Sequence, residues 1–246
     1  MSYKSFFFVL LLILLGTFGY LRYQASQPPE TYFNQTKRYS LGKSEFWRTV
    51  LNLNRPGDAK GHFLTGKDTI LIEVVSAKGL DINEEGLRKF AVEVERITGH
   101  KTNIINVDLL KEPNVRNADL VDIVKSFRRH KTFGQPSIFV IYANDFEGSD
   151  NGPAKPFFEY GILLSDQKLK DLTSSYNQAL RDYLTAVMLN SFGYQIGLLE
   201  TKSPNCIMQD AVLKPTNAIY FYGTQLPSTY CDAEIEQAAN IKASLE

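Results

Sequence analysis

The chain has 246 residues, of which 43% are hydrophobic and 22% are charged, and its 27 basic residues balance its 27 acidic residues. This composition is typical of a folded globular protein, and the length leaves room for one substantial domain. Zero formal net charge argues against a nucleic-acid partner, because such proteins gain affinity by neutralising phosphates with an excess of Lys and Arg.

The N-terminal part contains one uninterrupted apolar run at residues 6–21, with a basic residue on each side. As a helix rising about 1.5 Å per residue, it is slightly short for a hydrocarbon core about 30 Å thick, although basic side chains can reach the headgroups. A cleaved export signal is the alternative, since Thr17 and Gly19 are small enough for a cleavage site, although no Ala-x-Ala is present. We expect residues 1–23 to be a signal-anchor that holds the domain at the membrane and outside the cytoplasm, or the signal peptide of a secreted protein.

Residues 24–67 are mostly polar and contain the turn-forming pairs Pro28-Pro29 and Pro56-Gly57. This composition predicts a tether between the apolar run and the domain. One short helix is predicted at residues 44–53, where Trp47 and Phe46 are candidates to pack on the domain.

The domain is predicted at residues 68–246, where strand and helix patterns alternate. Asp81 is the predicted cap of the first helix, with Glu84 completing a capping box, and Gly99 ends that helix. The predicted strands are residues 69–75, 103–109, 137–142 and 157–164, and the later helices are residues 118–129, 174–197 and 229–244.

Residues 189–200 (LNSFGYQIGLLE) and 204–208 (PNCIM) have the spacing of the zinc-peptidase signature HExxHxxGxxH and its downstream methionine turn. In that signature two His four residues apart project from one side of a helix, and a Glu acts as general base on the zinc-bound water. The stretch resembles metzincins, and within them archaemetzincins, in which a Cys commonly precedes the Met by two residues, as Cys206 precedes Met208 here.

The resemblance places Asn190 and Tyr194 at the two helix-ligand positions, Ser191 at the base position and Glu200 at the third-ligand position, whereas Gly197 is retained. Zinc prefers imidazole, thiolate or carboxylate ligands, and Ser cannot take a proton from water without a base of its own. The three His of the chain lie in other segments. We therefore expect a degenerate site with no metal, no cofactor and no peptide cleavage.

The resemblance also implies a fold and a cleft. The fold is an α/β (α+β) three-layer arrangement with a mixed twisted sheet, an antiparallel edge strand, a central active-site helix, the methionine turn and a C-terminal helix. Residues 157–164 would form the edge strand above the cleft. There Phe157, Tyr160 and Ile162 would bind an extended peptide or protein segment, or the chain's own tether, as an added strand.

Cys206 and Cys231 are the only two cysteines of the chain. In a domain outside the cytoplasm thiols oxidise, so we expect them to form a disulfide. The alternative is a remnant of the cysteine zinc site that archaemetzincins carry.

Three functions are compatible with these residues. The one we favour is a catalytically inactive, membrane-tethered metzincin-like module that binds peptides or proteins. The second is an active zinc metallopeptidase with non-standard ligands, such as Glu200 with groups from the tether. The third is a structural extracytoplasmic domain without a binding cleft.

Overall fold

A five-stranded mixed sheet lies at the centre of the computed structural model. The model describes residues 3–27, 31, 33–42, 44–66, 68–107, 109–129, 135–176, 179–203, 205–209, 212 and 226–245. The strands in chain order are β1 (Ile70–Ser76), β2 (Thr102–Asn106), β3 (Asn114–Val115), β4 (Ser137–Ala143), β5 (Asp145–Phe146), β6 (Ala154–Phe157) and β7 (Gly161–Ser165). The sheet order is β2-β1-β4-β7-β6, in which β6 alone is antiparallel, and β3 pairs separately with β5.

Helices cover both faces of this sheet. The helices are α1 (Tyr3–Ser26), α2 (Arg38–Gly42), α3 (Glu45–Leu51), α4 (Lys60–Thr65), α5 (Glu84–Thr98), α6 (Leu120–Phe127), α7 (Asp166–Tyr176), α8 (Leu180–Ile196) and α9 (Asp232–Leu245). Alternate residues of the central strands pack on α5 and α8 on one face and on α6 on the other. Strands buried on both faces require near-continuous apolar runs, which β1 and β4 have. The predicted three-layer α/β fold with an antiparallel edge strand is confirmed.

The cap of α5 differs from the prediction. Asn83 Oδ1 accepts a hydrogen bond from the Gly86 N–H at 2.8 Å, and Glu84 is already the first helical residue. Asp81 therefore lies too far from the helix to form the predicted capping box. At the other end the prediction is confirmed, because Gly99 adopts the left-handed conformation with φ of 77°.

The predicted edge strand at residues 157–164 is wrong, because this run forms a hairpin. Phe157 ends the edge strand β6, and Ile162 lies on β7 between β6 and β4, where it is fully buried. Tyr160 lies in the connecting turn. The turn closes over Gly161, where the ring of Phe157 occupies the space that a Cβ would need.

The predicted helix at 174–197 is two helices. α7 ends at Tyr176 and α8 begins at Leu180, with Ala179 in an extended conformation before it. The end of α8 is as predicted, because Gly197 has a φ of 83° and leaves the helix in the left-handed conformation. The last helix also starts later than predicted, at Asp232.

The segment predicted as a tether is built into the fold over much of its length. A π-helical turn at Phe33–Lys37 leads into α2, α3 and α4. Phe63 and Leu64 on α4 are each 1% exposed and belong to the main core. The ring of Phe63 packs edge-to-face on Phe192 of α8, with ring centroids 5.4 Å apart. Both side chains stand among proline and polar residues, so the hydrophobic pattern of the sequence did not predict that they belong to the core.

A partly buried His–Arg pair within this segment predicts a pH effect. Arg48 is 8% exposed, and its Nη2 donates to Nε2 of His62. Burial, followed by the charge of Arg48, lowers the pKa of His62 from 6.5 to about 4. Folding therefore releases a proton from His62 between these values, and the folded state loses stability as the pH falls from about 6.5 towards 4.

We predict that His62→Gln, which keeps an acceptor for Arg48, removes this pH dependence. Denaturant unfolding of the wild type and the variant measured from pH 7 to 4 should show the wild type losing about 1–2 kcal/mol more, after allowance for partial exposure. Two parallel stability profiles would contradict the prediction.

Candidate functional site

The motif-bearing helix α8 is the central helix of the domain. It packs against α5, α4, β6 and β7, and nearly all of its residues from Tyr183 to Ile196 are buried. A helix that is apolar on every side is one that neighbours surround. Asn190 and Ser191 therefore lie within the core of the domain, whereas Tyr194 is half-buried and Glu200 is exposed.

Asn190, at the first helix-ligand position, ties α8 to the methionine turn. Its side chain is 1% exposed, and Nδ2 donates to the Ile207 carbonyl oxygen at 2.7 Å. Its Oδ1 is buried and has no hydrogen-bond partner among the described residues. The amide thus binds the backbone of the turn that would form the floor beneath a metal.

Ser191, at the base position, is sealed in the core. It is 0% exposed, and its Oγ has no hydrogen-bond partner among the described residues. One turn further on, Gln195 is also 0% exposed, and its Nε2 donates to the Gly161 carbonyl oxygen at 3.0 Å. This face of α8 is therefore joined to the β6–β7 hairpin and not to solvent.

Tyr194 and Glu200 bring the second and third ligand positions together. The Tyr194 hydroxyl donates to Glu200 Oε1 at 2.7 Å. The left-handed Gly197 makes this possible, because it turns the chain back beside the end of the helix. The Lys60 side chain lies across that turn, with Cδ 3.1 Å from the position that a Cβ on Gly197 would take. The second and third ligand positions thus meet here as a phenol and a carboxylate.

The methionine turn packs directly beneath α8. Met208 is fully buried, and its carbonyl oxygen accepts from the Thr201 N–H at 3.0 Å, closing the loop. A Cβ on Gly193 would collide with Met208 Sδ. Gly193 is therefore required for the close approach of the turn to the helix, a role that the sequence reasoning did not assign to it.

Glu234 on α9 holds the methionine turn by its backbone. The side chain is 3% exposed in total. Its two oxygens accept from the N–H groups of Met208 at 2.6 Å, Ile207 at 3.2 Å and Cys231 at 2.9 Å. No sequence signal could identify this residue, because two of its partners are backbone groups 26 and 27 residues away.

The predicted disulfide between Cys206 and Cys231 is confirmed, with the two Cα atoms 5.0 Å apart. It joins the methionine turn to the start of α9, beside Glu234. These three side chains form the one group of potential metal ligands found close together in the described residues. Both thiols are consumed by the disulfide, so the group does not form a cysteine metal site in this state.

The β6 edge of the sheet has little capacity for pairing with an added strand. The Ser165 N–H donates to the Pro153 carbonyl oxygen at 2.9 Å, and in an antiparallel pair the hydrogen-bonded positions alternate. Ala154 and Pro156 therefore direct their backbone groups away from β7. Proline has no N–H, so the edge offers one donor and two acceptors, as expected of a protected edge strand.

The residues at the ligand positions do not fit zinc well. Asn190, Tyr194 and Glu200 would offer an amide, a phenol and a carboxylate, whereas catalytic zinc sites use imidazole, thiolate and carboxylate. His62 is paired with Arg48, and His130 lies outside the described residues.

Comparison with known proteins gives structural neighbours only. No family profile and no curated protein sequence matches the chain. The archaemetzincin from Archaeoglobus fulgidus complexed with malonate is 14% identical, with a TM-score of 0.40 over 70% of this chain and 99% of that chain. The archaemetzincin from Methanopyrus kandleri is 14% identical, with a TM-score of 0.46 over 72% and 96%. A zinc-dependent peptidase from Methanocorpusculum labreanum is 12% identical, with a TM-score of 0.45 over 68% and 99%.

These neighbours confirm the predicted resemblance at the level of the fold, which is archaemetzincin-like. They also correct one prediction. We expected no cofactor, but one of the three neighbours is a zinc-dependent peptidase, so that expectation is not upheld. Zinc is thus associated with one neighbour of this fold. The residues of this chain at the ligand positions still match the usual zinc ligands poorly.

We predict that Gly193→Ala lowers the unfolding free energy by about 1–3 kcal/mol, because the new methyl group overpacks the contact with Met208. In a Met208→Ala background the same substitution should be neutral or slightly stabilising, since Ala is favoured over Gly in a helix. Denaturant unfolding of the four proteins forms a double-mutant cycle. An equal effect of Gly193→Ala in both backgrounds would show that the methionine does not fill this space.

Proposed function

We propose that this protein is a membrane-tethered, metzincin-like module that binds an extended peptide segment and does not hydrolyse it. The observation that carries the proposal is the burial of Asn190 and Ser191. In the intact signature these positions contact the metal and its water, so they must be open to the cleft.

The lack of hydrolysis follows from the base position. A general base must reach the attacking water and must have a pKa near the operating pH. Ser191 satisfies neither condition, because it is buried and has no hydrogen-bond partner among the described residues. Glu200 is exposed, but its carboxylate already accepts from Tyr194.

Binding would use backbone groups at the β6 edge and the exposed carboxylate of Glu200. The edge of β6 presents Ala154 N–H and the carbonyl oxygens of Ala154 and Pro156, which support a short stretch of added strand. Glu200 adds a negative charge at the end of α8, which favours a segment carrying Lys or Arg. The proposed ligand is therefore a short extended segment with a basic side chain.

The occupant is more consistent with another protein than with the chain's own tether. Much of residues 33–66 is helical, and α4 packs on α8 and α9, so these residues are committed to other contacts. Anchoring is supported by α1, which includes one span, Phe6–Ser26, long and apolar enough to cross a membrane. The disulfide is also consistent with a domain outside the cytoplasm.

The second candidate is a zinc peptidase with non-standard ligands. The pairing of Tyr194 with Glu200 favours it, because it brings two of the ligand positions together and one of them is a carboxylate. A structural domain without a binding cleft is the third candidate, favoured by the small capacity of the β6 edge.

One experiment separates the three. The full chain in detergent is mixed with a library of short fluorescent peptides, half of which contain Lys or Arg, in zinc or in chelator. Fluorescence polarisation measures binding and mass spectrometry measures cleavage. We expect basic peptides to bind and to remain intact in both conditions.

We predict that Glu200→Gln weakens binding of the basic peptides by about two- to fivefold, as expected for the loss of an exposed ion pair. Glu236→Gln, which removes an exposed carboxylate of α9, is the matched control and should bind like the wild type. Zinc-dependent cleavage that Glu200→Gln abolishes would establish the second candidate instead. The absence of both binding and cleavage would establish the third.

A further inference from the structure

The carboxyl end of α1 is fixed to the folded domain. The last carbonyl groups of a helix have no partner within it, and here side chains from the following segment satisfy them. Arg38 Nη1 donates to the Ala25 oxygen at 2.6 Å, and Asn34 Nδ2 donates to the Gln27 oxygen at 2.6 Å. Arg38 also forms a buried ion pair with Asp58 at 2.6 Å, with both side chains less than 10% exposed. The end of the anchor helix is therefore held by side chains of Arg38 and Asn34, which belong to the described part of the following segment.

A small apolar cluster reinforces this junction. Ala25 is buried, and Leu21 packs beside it one turn earlier. Their partners come from the segment between the anchor helix and the domain. The cluster is completed by Phe33, Leu41, Trp47, Val50, Leu51 and Leu53. One face of the end of α1 is thus covered by α3 and its neighbours.

The junction also carries exposed aromatic side chains. Tyr20 and Tyr23 on α1 are 62% and 61% exposed, and Phe46 on α3 is 58% exposed. The ring of Trp47 lies 5.3 Å from that of Phe46 and 5.8 Å from that of Phe18, which belongs to the apolar run. Aromatic residues gathered at the end of a membrane span are typical of the lipid headgroup interface.

We propose that α3 lies in the headgroup region of the same membrane that α1 crosses, with Phe46 and Trp47 inserted at the interface. This inference rests on the proposed anchoring and goes beyond it, because it assigns a second lipid contact and a fixed orientation of the domain. The lipid surface is the occupant because the aromatic side chains continue directly from a helix whose apolar window is 0% buried.

With α3 in the headgroup region, the domain would be oriented so that the candidate binding site lies close to the membrane. A cavity of about 310 Å³ lies between the residues that cap α1 and the end of α8, and its lining includes Arg38, Asp58, Tyr194 and Gly197. The site residues and the membrane contact thus share one end of the domain. A segment bound beside Tyr194 would come from a partner close to the lipid surface.

Trp47 is the only tryptophan of the chain, so its fluorescence reports directly on this contact. The full chain is reconstituted into liposomes that contain plain lipid, lipid brominated close to the headgroup, or lipid brominated at the chain ends. We expect the loss of Trp47 emission to be largest with the bromine close to the headgroup. The matched control is Trp47→Phe combined with Val92→Trp, which moves the probe to an exposed position on α5 and should not be quenched.

Carbonate extraction of the same liposomes separates the two proposals. Protein that stays in the membrane while Trp47 is not quenched would overturn the interface contact and leave the anchor in place. Protein that is extracted would overturn both. Two further outcomes would also overturn the inference. One is quenching of the control probe to the same extent as Trp47. The other is emission that changes with the ratio of protein to lipid and not with bromine position, which would show that Phe46 contacts another copy of the protein.

Discussion

The arrangement around α8 depends on the hydrogen bonds that the Glu234 carboxylate accepts from the backbone. A buried charge is costly unless it is fully hydrogen-bonded, and here it accepts three backbone N–H groups, two of them from the methionine turn. Each such charge-assisted bond contributes about 1.5–3 kcal/mol. The carboxylate, together with the disulfide, fixes the turn on α9, and the turn in turn presents the Ile207 carbonyl oxygen to Asn190 of α8.

This network gives a physical account of the residues that occupy the predicted signature positions. The two positions that would serve the metal and its water now serve packing, because Asn190 binds the methionine turn and Ser191 faces the core. Gly193 and Gly197 keep the roles of close approach and helix exit that the backbone of such a fold requires. In this chain the two glycines determine the path of the backbone, and Asn190 and Ser191 contribute to the packing of the core.

The sequence predicted those features that depend on local chemistry. Gly99 and Gly197 end their helices because the left-handed conformation favours glycine, and the β-branched runs of β1 and β4 identify central strands. The β6–β7 hairpin was missed because residues 157–164 are a nearly continuous apolar run, and periodicity cannot reveal a turn within such a run. The docking of α4 was missed because its two core residues stand in a polar segment.

The structural roles of Glu234 and Asn190 could not be predicted from the sequence for a different reason. Their partners are backbone groups distant along the chain, and backbone groups leave no mark in the sequence. The resemblance to a known signature supplied the positions of the candidate site, but only the structure showed that two of them are buried. What each residue does in this chain therefore follows from its contacts and not from its place in the motif.

The most direct test of this account is the stability of Asn190→Asp as a function of pH. If the amide is a structural donor in the core, the substituted carboxylate is buried, cannot donate to the Ile207 oxygen when ionised, and should cost about 3–5 kcal/mol of unfolding free energy at neutral pH. The loss should shrink as the pH falls and the new carboxyl group takes up a proton. A variant as stable as the wild type at neutral pH, and further stabilised by added zinc, would show instead that position 190 lies in an open metal site.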